Sequence, residues 1–484
     1  MSGSFRHPMV ASSLAAAAVG LAFASALAGG AGASANSSRS VHATLAGTAK
    51  AAGPVPVPFL HILAGRPFAK PPTTTQCEEL YGAACYNPAQ LRAAYNLNPL
   101  LTKGDTGTGE TIVLVDAFGS PDITSDLATF DTSFKIPAPP SFNIIAPAGA
   151  IPPFTGTSTQ VNWAEETSLD VEYSHAMAPG ADILLVETPV AETEGAAGFK
   201  QIVKAENYVI KNHLGQVISQ SFGATESTFK SGQILGLRSA FTAAQAANVT
   251  VLGASGDTGA TNYTNTAGTT LSTTRVNSWP SSDPLVTSVG GLHFFLNAKG
   301  AQTQQTTVWN DTALLGSPAA GGGGDSAVFA RPAFQSGVSA VVGADRGTPD
   351  VSMSASVDGG ALVYLSADIS PFGVPGFVPI GGTSEATPEF AGIVAIADQV
   401  AGKSLGYLNP ALYAMAAADD PGLVDITKGN NTVSFTQDGK NVTVTGFTAV
   451  AGYDMASGLG TVNAVDFVPE LVAEVNALAA KHKS

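Results

Sequence analysis

Short apolar runs rich in β-branched residues alternate with helical patterns along most of the chain, and this alternation limits the possible folds. The runs that indicate buried strands are 111–116, 181–186, 216–222, 248–254 and 284–289. Helical patterns follow at 198–212 and 232–247, and an amphipathic pattern closes the chain at 468–483. Strands that alternate with helices predict an α/β fold, a mostly parallel twisted sheet with helices on both faces. Functional groups of such sheets lie at the carboxyl ends of the strands.

The N-terminal part of the chain has a different composition. Arg6 precedes an Ala-, Val- and Leu-rich stretch, Met9–Ala28, and Ala33-Ser34-Ala35 follows it. This order is typical of a secretory signal with its cleavage site, so we predict a signal peptide over 1–35. An uncleaved membrane anchor is the alternative, since about 20 apolar residues can span a bilayer. Residues 36–85, rich in Ala, Ser, Thr, Pro and Gly, are interpreted as a linker or short pro-segment before a domain at 86–484.

Cysteine content and charge limit the partners. Cys77 and Cys85 are the only cysteines, and in an exported chain such a close pair favours a local disulfide. The formal net charge is −15 with no cluster of basic residues, which excludes nucleic acid as a partner because phosphate binding needs clustered Lys and Arg. We therefore expect an extracellular monomer that has no membrane contact once the signal is removed.

A serine lies at a Gly-rich turn that leads from a strand into a helix. Gly381-Gly382-Thr383-Ser384 precedes the helical pattern 389–400. At such a turn the serine Oγ is exposed and lies near the helix N-terminus, and both features suit attack on a carbonyl group. An ordinary N-cap serine is the alternative interpretation of Ser384.

Histidine offers no evident base for this serine. No histidine begins a helix in the pattern of the subtilisin triad, which counts against a Ser-His-Asp mechanism. His175 and His293 are expected to be core or loop residues. The histidines of the signal, the linker and the tail are His7, His42, His61 and His482.

Carboxylates lie on the helical pattern 162–177 instead. Glu166 and Asp170 share a stripe with apolar side chains, whereas Glu165 and Glu172 fall on a polar face that we expect to be solvated. Two partly desolvated carboxyls four residues apart cannot easily both ionise, so at least one pKa should be raised. This suits a general base that works in acid. A helix with carboxylates at the edge of its apolar stripe is the alternative.

Two aspartates lie at the carboxyl ends of predicted strands. Asp116 ends the run 111–116, and Asp257 lies in the Ser-Gly-Asp-Thr-Gly turn after 248–254. Asp257 is either a functional group or only a turn-forming residue.

These features together resemble one family, the sedolisins or serine-carboxyl peptidases, which are similar to subtilisins but have Glu in place of the catalytic His. The resemblance extends over about 86–472. The motifs that carry it are Tyr86–Arg92, the carboxylate helix with Ala178–Ala181, Ser221–Gly223, Ser255–Gly259, Phe329–Pro332, Pro349–Ser352, Gly382–Ser384 and Gly452–Asp454.

The resemblance implies a subtilisin-like fold and a secreted endopeptidase that acts on polypeptides in acid. It makes Ser384 the nucleophile, Glu166 the general base and Asp170 the residue that orients Glu166. It makes Asp257 a protonated donor to the oxyanion, and Asp116 is an auxiliary candidate. The substrate-binding residues that it implies are Ser221, Phe222 (many relatives have Trp here) and Gly223.

The resemblance also implies one calcium ion near the C-terminus. Two carboxylates and three main-chain carbonyls would form a hard oxygen site of the kind that calcium prefers. Val450 stands where the family usually has Gly. The ligands that the resemblance implies are Asp425, Ile426, Val450, Gly452 and Asp454.

Two features depart from the family pattern. Family members usually carry a long folded pro-domain, whereas only about 50 residues separate the predicted cleavage site from Tyr86. Glu385 after the nucleophile is also unusual. A catalytically silent secreted binding protein is therefore one alternative, and a neutral subtilisin that uses Asp116 and an unassigned histidine is another.

Overall fold

The computed structural model describes residues 57–58, 60–63, 65–189, 196–265 and 268–481, and the predicted signal peptide 1–35 lies outside these ranges. The strands are β1 (Val57–Pro58), β2 (His61–Ile62), β3 (Cys85–Tyr86), β4 (Thr111–Ala117), β5 (Phe142–Ile145), β6 (Asp182–Thr188), β7 (Val217–Gln220), β8 (Phe222–Thr225), β9 (Thr250–Ala254), β10 (Ser278–Trp279), β11 (Thr287–His293), β12 (Thr307–Val308), β13 (Gly324–Ala330), β14 (Asp345–Thr348), β15 (Val351–Ser354), β16 (Gly360–Leu365), β17 (Gly376–Gly381), β18 (Leu423–Val424), β19 (Val433–Gln437), β20 (Lys440–Val444) and β21 (Thr461–Val462). The helices are α1 (Thr74–Tyr81), α2 (Pro88–Ala94), α3 (Asn98–Lys103), α4 (Ile123–Phe134), α5 (Ser158–Met177), α6 (Ala196–Lys211), α7 (Gln233–Leu237), α8 (Ser239–Ala247), α9 (Thr312–Leu315), α10 (Ser339–Val342), α11 (Thr383–Ala401), α12 (Asn409–Ala417) and α13 (Ala464–Lys481).

The main sheet has the strand order β12-β11-β9-β7-β4-β6-β5, and β15 also pairs with β11. Every pair in it is parallel except β11 with β12. Successive residues of a strand point to opposite faces. In β4, Ile112 and Leu114 accordingly join the core on one face, and Val113 and Val115 join the core on the other.

Helices cover both faces of this sheet. α11 packs on α5 and on strands β7, β11 and β15, while α6 and α8 pack together in the second core with β6 and β9. The predicted α/β fold is confirmed. The last predicted strand begins later than expected, at Thr287, because the carboxylate and carbonyl of Asp283 accept from the amides of Leu285 and Val286 and hold a turn there. Within the described ranges, no helix combines the length and apolarity needed to cross a bilayer.

The predicted linker contributes strands to the fold. β1 pairs antiparallel with β8, with Val57 opposite Gly223, and β2 pairs antiparallel with β17, with His61 opposite Gly381. β3 pairs parallel with β16, and a disulfide joins Cys77 of α1 to Cys85 of β3. The described part of 57–86 is therefore built into the domain.

Candidate active site

Ser384 lies where β17 passes into α11, as the sequence predicts. Gly382 has a φ of 134° in this turn, a conformation that favours glycine, and Ser384 is the second residue of the helix. Its Oγ donates to the main-chain carbonyl of Ser221 over 3.1 Å. The expectation of an exposed Oγ is wrong for this structure, because Ser384 is fully buried beside the carbonyl end of β7.

Ser221 connects the serine to the carboxylate helix. Its hydroxyl donates to Oδ1 of Asp170 over 2.7 Å, while its carbonyl accepts from Ser384. Asp170 and Glu166 lie one turn apart on α5, which packs along α11. The packing of these two helices thus brings Ser384, Glu166 and Asp170 into one buried cluster.

Burial sets the protonation of this cluster. It raises the pKa of Glu166 well above its usual value, and the nearby Asp170 and Asp116 raise it further, while the Ser384 hydroxyl acts in the opposite direction. The pKa of Asp170 is raised by burial and by Asp116, against the hydrogen bond from Ser221. Asp116 at the end of β4 is itself buried, which raises its pKa to about 7. Burial and mutual repulsion therefore oppose the simultaneous ionisation of these carboxyls.

The predicted polar face of α5 is wrong. Glu165 and Glu172 are buried, as is every residue of the helix from Trp163 to Met177. Burial raises the pKa of Glu165 to about 8. Glu172 accepts a 3.0 Å hydrogen bond from the amide of Tyr364 in β16. The helix has no solvated face because α4, α11, β4 and β16 pack around it.

Asp257 lies on the other side of the nucleophile turn. Its Oδ1 accepts from both the amide and the hydroxyl of Thr383, each over 2.8 Å, so it adjoins the residue before Ser384. Burial raises its pKa well above the usual value, against these two hydrogen bonds. A protonated Asp257 has a donor available on its other oxygen, as an oxyanion site needs.

His61 is the residue near this site that the sequence did not identify. Its Nε2 lies 3.4 Å from Oδ2 of Asp257, and its ring packs edge-on against Trp309 at 5.7 Å between centroids. The only signal was a short apolar run, 60–63, inside a segment otherwise rich in Pro, Ala and Gly.

The other candidate histidines have different neighbours. His175 contacts the carbonyl of Pro137 at 2.8 Å and Asp131 at 3.3 Å, and His293 lies 3.8 Å from Asp358. The pKa of Asp116 is raised by burial and by Glu187 and lowered by the Thr167 hydroxyl, and Asp116 in turn acts on Glu166 and Asp170; none of these groups is a histidine. The described residues thus give no support to a histidine base beside Asp116.

Of the predicted substrate-binding residues, Phe222 and Gly223 pair through their main chain with β1, and the hydroxyl of Ser221 donates to Asp170. The ring of Phe222 is buried 6.0 Å from Trp163 and 6.5 Å from Phe199, inside the second core. A larger Trp at this position would therefore alter the packing under β8 rather than fill the cleft itself.

The predicted calcium ligands lie on two neighbouring segments, 425–426 after β18 and 450–454 before β21. Oδ2 of Asp425 accepts from the amide of Gly452, and Oδ2 of Asp454 accepts from the amide of Val450, each over 2.9 Å. The Ser457 hydroxyl lies 3.5 Å from the carbonyl of Ile426 and 3.1 Å from Asp454. In the described part of the chain, no three His, Cys, Asp or Glu side chains gather as a metal site, so an ion here would depend on main-chain carbonyls. Two carboxylates and such carbonyls fit calcium.

Comparison with known proteins places the chain in a family. The model of the subtilase family (Peptidase S8) matches residues 148–420. The chain belongs to the subtilase family. Kumamolisin of Bacillus sp. (strain MN-32) is 31% identical over 382 residues, which is 78% of this chain and 62% of that protein. Sedolisin of Pseudomonas sp. (strain 101) is 32% identical over 273 residues, 56% of this chain and 43% of that protein.

A solved structure agrees with these relatives. Pseudomonas sedolisin, a serine-carboxyl proteinase complexed with two molecules of pseudo-iodotyrostatin, superposes with a TM-score of 0.66 at 26% identity and covers 82% of this chain and 99% of that one. The sedolisin resemblance and the subtilisin-like fold are confirmed. Tripeptidyl-peptidase 1 of Homo sapiens is 28% identical over 395 residues. This subtilase spans less than two thirds of the length of these curated relatives.

Proposed function

We propose that the chain is a serine-carboxyl endopeptidase that is secreted as a monomer and cleaves polypeptides in acid. The observation that carries the proposal is the double contact of Ser221, whose carbonyl accepts from Ser384 and whose hydroxyl donates to Asp170. It joins a serine at a helix N-terminus to a buried carboxyl pair. The peptidase names of the relatives support the same reaction class.

The proposed reaction is acyl transfer. Ser384 Oγ attacks the peptide carbonyl while Glu166 takes its proton, and protonated Asp257 donates to the negative oxygen of the tetrahedral intermediate. The intermediate collapses to an acyl-serine as the C–N bond breaks, and Glu166 returns the proton to the leaving amine. Water then attacks the acyl-serine by the same route and regenerates Ser384. Asp170 orients Glu166, and Asp116 adds a third carboxyl to the network.

The expected action in acid follows from two carboxyls, Glu166 and Asp257, that must be in opposite protonation states during the reaction. Glu166 accepts a proton only when it is ionised, whereas Asp257 donates only while it is protonated. Burial raises the pKa of both carboxyls. Asp170 and Asp116 raise that of Glu166 further while the Ser384 hydroxyl lowers it, and the amide and hydroxyl of Thr383 lower that of Asp257. The working range lies between the two ionisations, which gives a bell-shaped pH profile.

The strands beside Ser384 favour cleavage within a chain over removal of short N-terminal peptides. Phe222–Gly223 of β8 and Ile380–Gly381 of β17 both pair with chain segments of extended conformation. Strand edges on both sides of the nucleophile can hold the residues before and after a scissile bond, because an extended peptide adds to an exposed edge through main-chain hydrogen bonds.

We also propose a calcium ion between the segments 425–426 and 450–454. Asp425 and Asp454 would supply carboxylate oxygens, and Ile426, Val450 and Gly452 would supply carbonyls. The ion would join the loop after β18 to the loop before β21 and so stabilise the domain, with no part in the chemical step.

The test is hydrolysis of an unfolded protein substrate from pH 2 to 8 by the full chain and by Ser384→Ala, with intact mass recorded before and after incubation. An acidic bell that the variant lacks would support the proposal. A neutral optimum would indicate a histidine base, and inactivity at every pH would indicate a silent binding protein.

A further inference from the structure

A second pair of buried carboxyls follows the nucleophile, and the proposed reaction does not use it. Glu385 comes directly after Ser384, Glu389 lies one turn further along α11, and both side chains are fully buried. We infer that Glu385 and Glu389 are positioning residues for Ser384: a proton on the pair keeps the start of α11 in place, and the nucleophile turn opens when both carboxyls ionise. The inference rests on the proposed function, which makes Ser384 the nucleophile.

Hydrogen bonds connect Glu389 to the segment that supports the nucleophile turn. Tyr95, which follows α2, donates its hydroxyl to Oε2 of Glu389 over 2.5 Å and accepts from the amide of Ser354 over 2.7 Å. Ser354 ends β15, and the carbonyl of the next residue, Ala355, accepts from the amide of Gly382 over 2.7 Å. Gly382 is the N-cap of α11. A displacement of Glu389 is therefore transmitted to the residue at which the helix begins.

The surroundings of the pair favour its protonated form. Among the described residues, no Lys, Arg or His forms an ion pair with either carboxyl. Neither oxygen of Glu385 makes a well-formed hydrogen bond with a described residue, and the same holds for Oε1 of Glu389. A buried carboxylate without a cation or a donor is costly, whereas the protonated acid is not. The helix N-terminus favours one negative charge at Glu385, but it does not compensate two.

The pKa values of the two carboxyls agree with this geometry. Burial raises both well above the usual value, and the charge of Glu389 raises that of Glu385 further. The Ser354 hydroxyl and the Ala361 amide lower the pKa of Glu385, and the Tyr95 hydroxyl lowers that of Glu389. Burial is the largest effect on each group, so the pair keeps at least one proton over the acid range.

The elements that pack on α11 bring tyrosines and further carboxyls towards this pair. The titratable groups that interact with it, besides Tyr95, are Tyr86 of β3, Tyr173 of α5 and Asp257 after β9. Strands β7, β9, β15 and β17 contain no titratable residue. The other ionisable side chains of the elements packed on α11 are Glu165, Glu166, Asp170, Glu172 and His175 of α5, Asp116 of β4, His293 of β11, and Asp466, Glu470, Glu474 and Lys481 of α13, none of which is buried in α13. Two carboxylates one turn apart would thus repel each other at the helix start.

The experiment is hydrogen exchange of full-length Ser384→Ala, measured by mass spectrometry from pH 4 to 8 on peptides that cover 381–390. The substitution prevents self-cleavage, and correction for the intrinsic effect of pH leaves the opening of the turn as the measured quantity. The compared variants are Glu385→Gln, Glu389→Gln and both together, because glutamine has the size of a protonated carboxyl but cannot ionise. Glu206→Gln is the matched control, since Glu206 is an equally buried glutamate of α6 whose pKa is also raised.

We expect the protection of 381–390 in the parent to fall at least about tenfold between pH 4 and pH 8, the effect of one proton released over a single pH unit. The double variant should lose much less protection, each single variant should lose an intermediate amount, and Glu206→Gln should behave as the parent does. A parent whose protection does not depend on pH would overturn the inference without any variant. An equal fall in the parent and in the folded glutamine variants would also overturn it. So would an equal fall in peptides of β4, because the pair would then stabilise the whole domain rather than the turn.

A second readout tests the connection with Ser384. The active chain is incubated at pH 8 and then assayed at its acid optimum, and the double glutamine variant should retain more activity than the parent. Equal retention would overturn the positioning role. Because the exchange measurement needs no catalysis, a chain without peptidase activity would contradict the proposed function and still show whether Glu385 and Glu389 hold the turn.

Discussion

The hydroxyl of Ser221 donates a 2.7 Å hydrogen bond to Oδ1 of Asp170, and this contact lowers the pKa of a carboxyl that burial and Asp116 raise. Ser221→Ala removes the hydroxyl but keeps the main-chain carbonyl that accepts from Ser384. The pKa of Asp170 should then rise, so a higher pH is needed to ionise the carboxyl pair. We expect the acid limb of the pH–rate profile to move to higher pH and kcat to fall about 10-fold. Ser219→Ala, also a buried serine on the adjoining strand, is the control and should leave the limb in place.

Among substitutions that preserve the shape of a side chain, loss of the general base should reduce the peptidase activity most. Glu166→Gln keeps the size of the side chain but cannot accept a proton from Ser384. We expect kcat/KM to fall by about 10²–10⁴-fold, measured with a peptide substrate at the optimum. Glu165→Gln changes the neighbouring buried glutamate of α5 and should retain most activity. Equal losses in the two variants would remove Glu166 from its assigned role.

The alkaline limb should depend on Asp257. Its pKa is raised, so it keeps its proton into a higher pH range than an ordinary aspartate, and donation is lost when that proton leaves. Asp257→Asn offers an amide donor that does not titrate. The variant should be slower at the optimum, but its activity should persist to higher pH. An unchanged alkaline limb would show that another group controls it.

Stability should decline from acid towards neutral pH. Burial raises the pKa of Glu206 to about 8, so the folded chain keeps a proton that the unfolded chain releases above about pH 4 to 5. The native state therefore binds more protons than the unfolded state between these values, and the free energy of unfolding falls as pH rises through that window. Glu165 and Asp398, whose pKa values are also raised to about 8, act in the same direction.

Thermal melts from pH 3 to 8 measure this slope. Glu206→Gln lies on α6, away from the active site, and should give a higher Tm than the parent near pH 8 with a smaller difference at pH 4. Glu78→Gln changes an exposed glutamate and should not alter the slope. A Tm that rises steadily from pH 4 to 8 in the parent would contradict the prediction.

Calcium removal should lower the Tm. A ligand that binds only the folded state stabilises it by RT ln(1 + [L]/Kd), about 2.7 kcal/mol at a hundredfold excess over Kd, and a chelator removes that contribution. Asp454→Asn should abolish the difference between melts with added calcium and with chelator. Asp438→Asn, an exposed aspartate in the turn of the β19–β20 hairpin, should keep the difference.

The sequence predicts those parts of the structure that depend on residues close to each other along the chain. The alternation of strands and helices gave the sheet, and the Gly-rich turn gave the position of Ser384 at the start of α11. Asp257 lies just beyond the end of β9, as the Ser-Gly-Asp turn predicts. The strands, the helix start and the turn are each favoured by residues close in sequence, whereas the order of the strands in the sheet depends on pairing between distant segments.

Residues whose surroundings come from distant parts of the chain were not predictable in this way. The helical pattern predicts solvent exposure for Glu165 and Glu172, but the elements that pack around α5 bury both, and Glu172 accepts from the amide of Tyr364. Nothing in the Pro- and Ala-rich segment that contains His61 indicates that this residue contacts Asp257. Both errors concern tertiary packing rather than local conformation.

The active-site residues are synthesised in their order along the chain, and Glu166 is made long before Ser384. The ribosome makes the carboxylate helix, β8 and Asp257 long before it reaches the nucleophile turn. β17, which supports that turn and pairs with β2, is also made late. A nascent chain that has not yet passed residue 384 has no nucleophile, so the proposed cleavage chemistry cannot begin before the turn between β17 and α11 is made. By the time Ser384 is made, β2, the strand that pairs with β17 beside it, is already present.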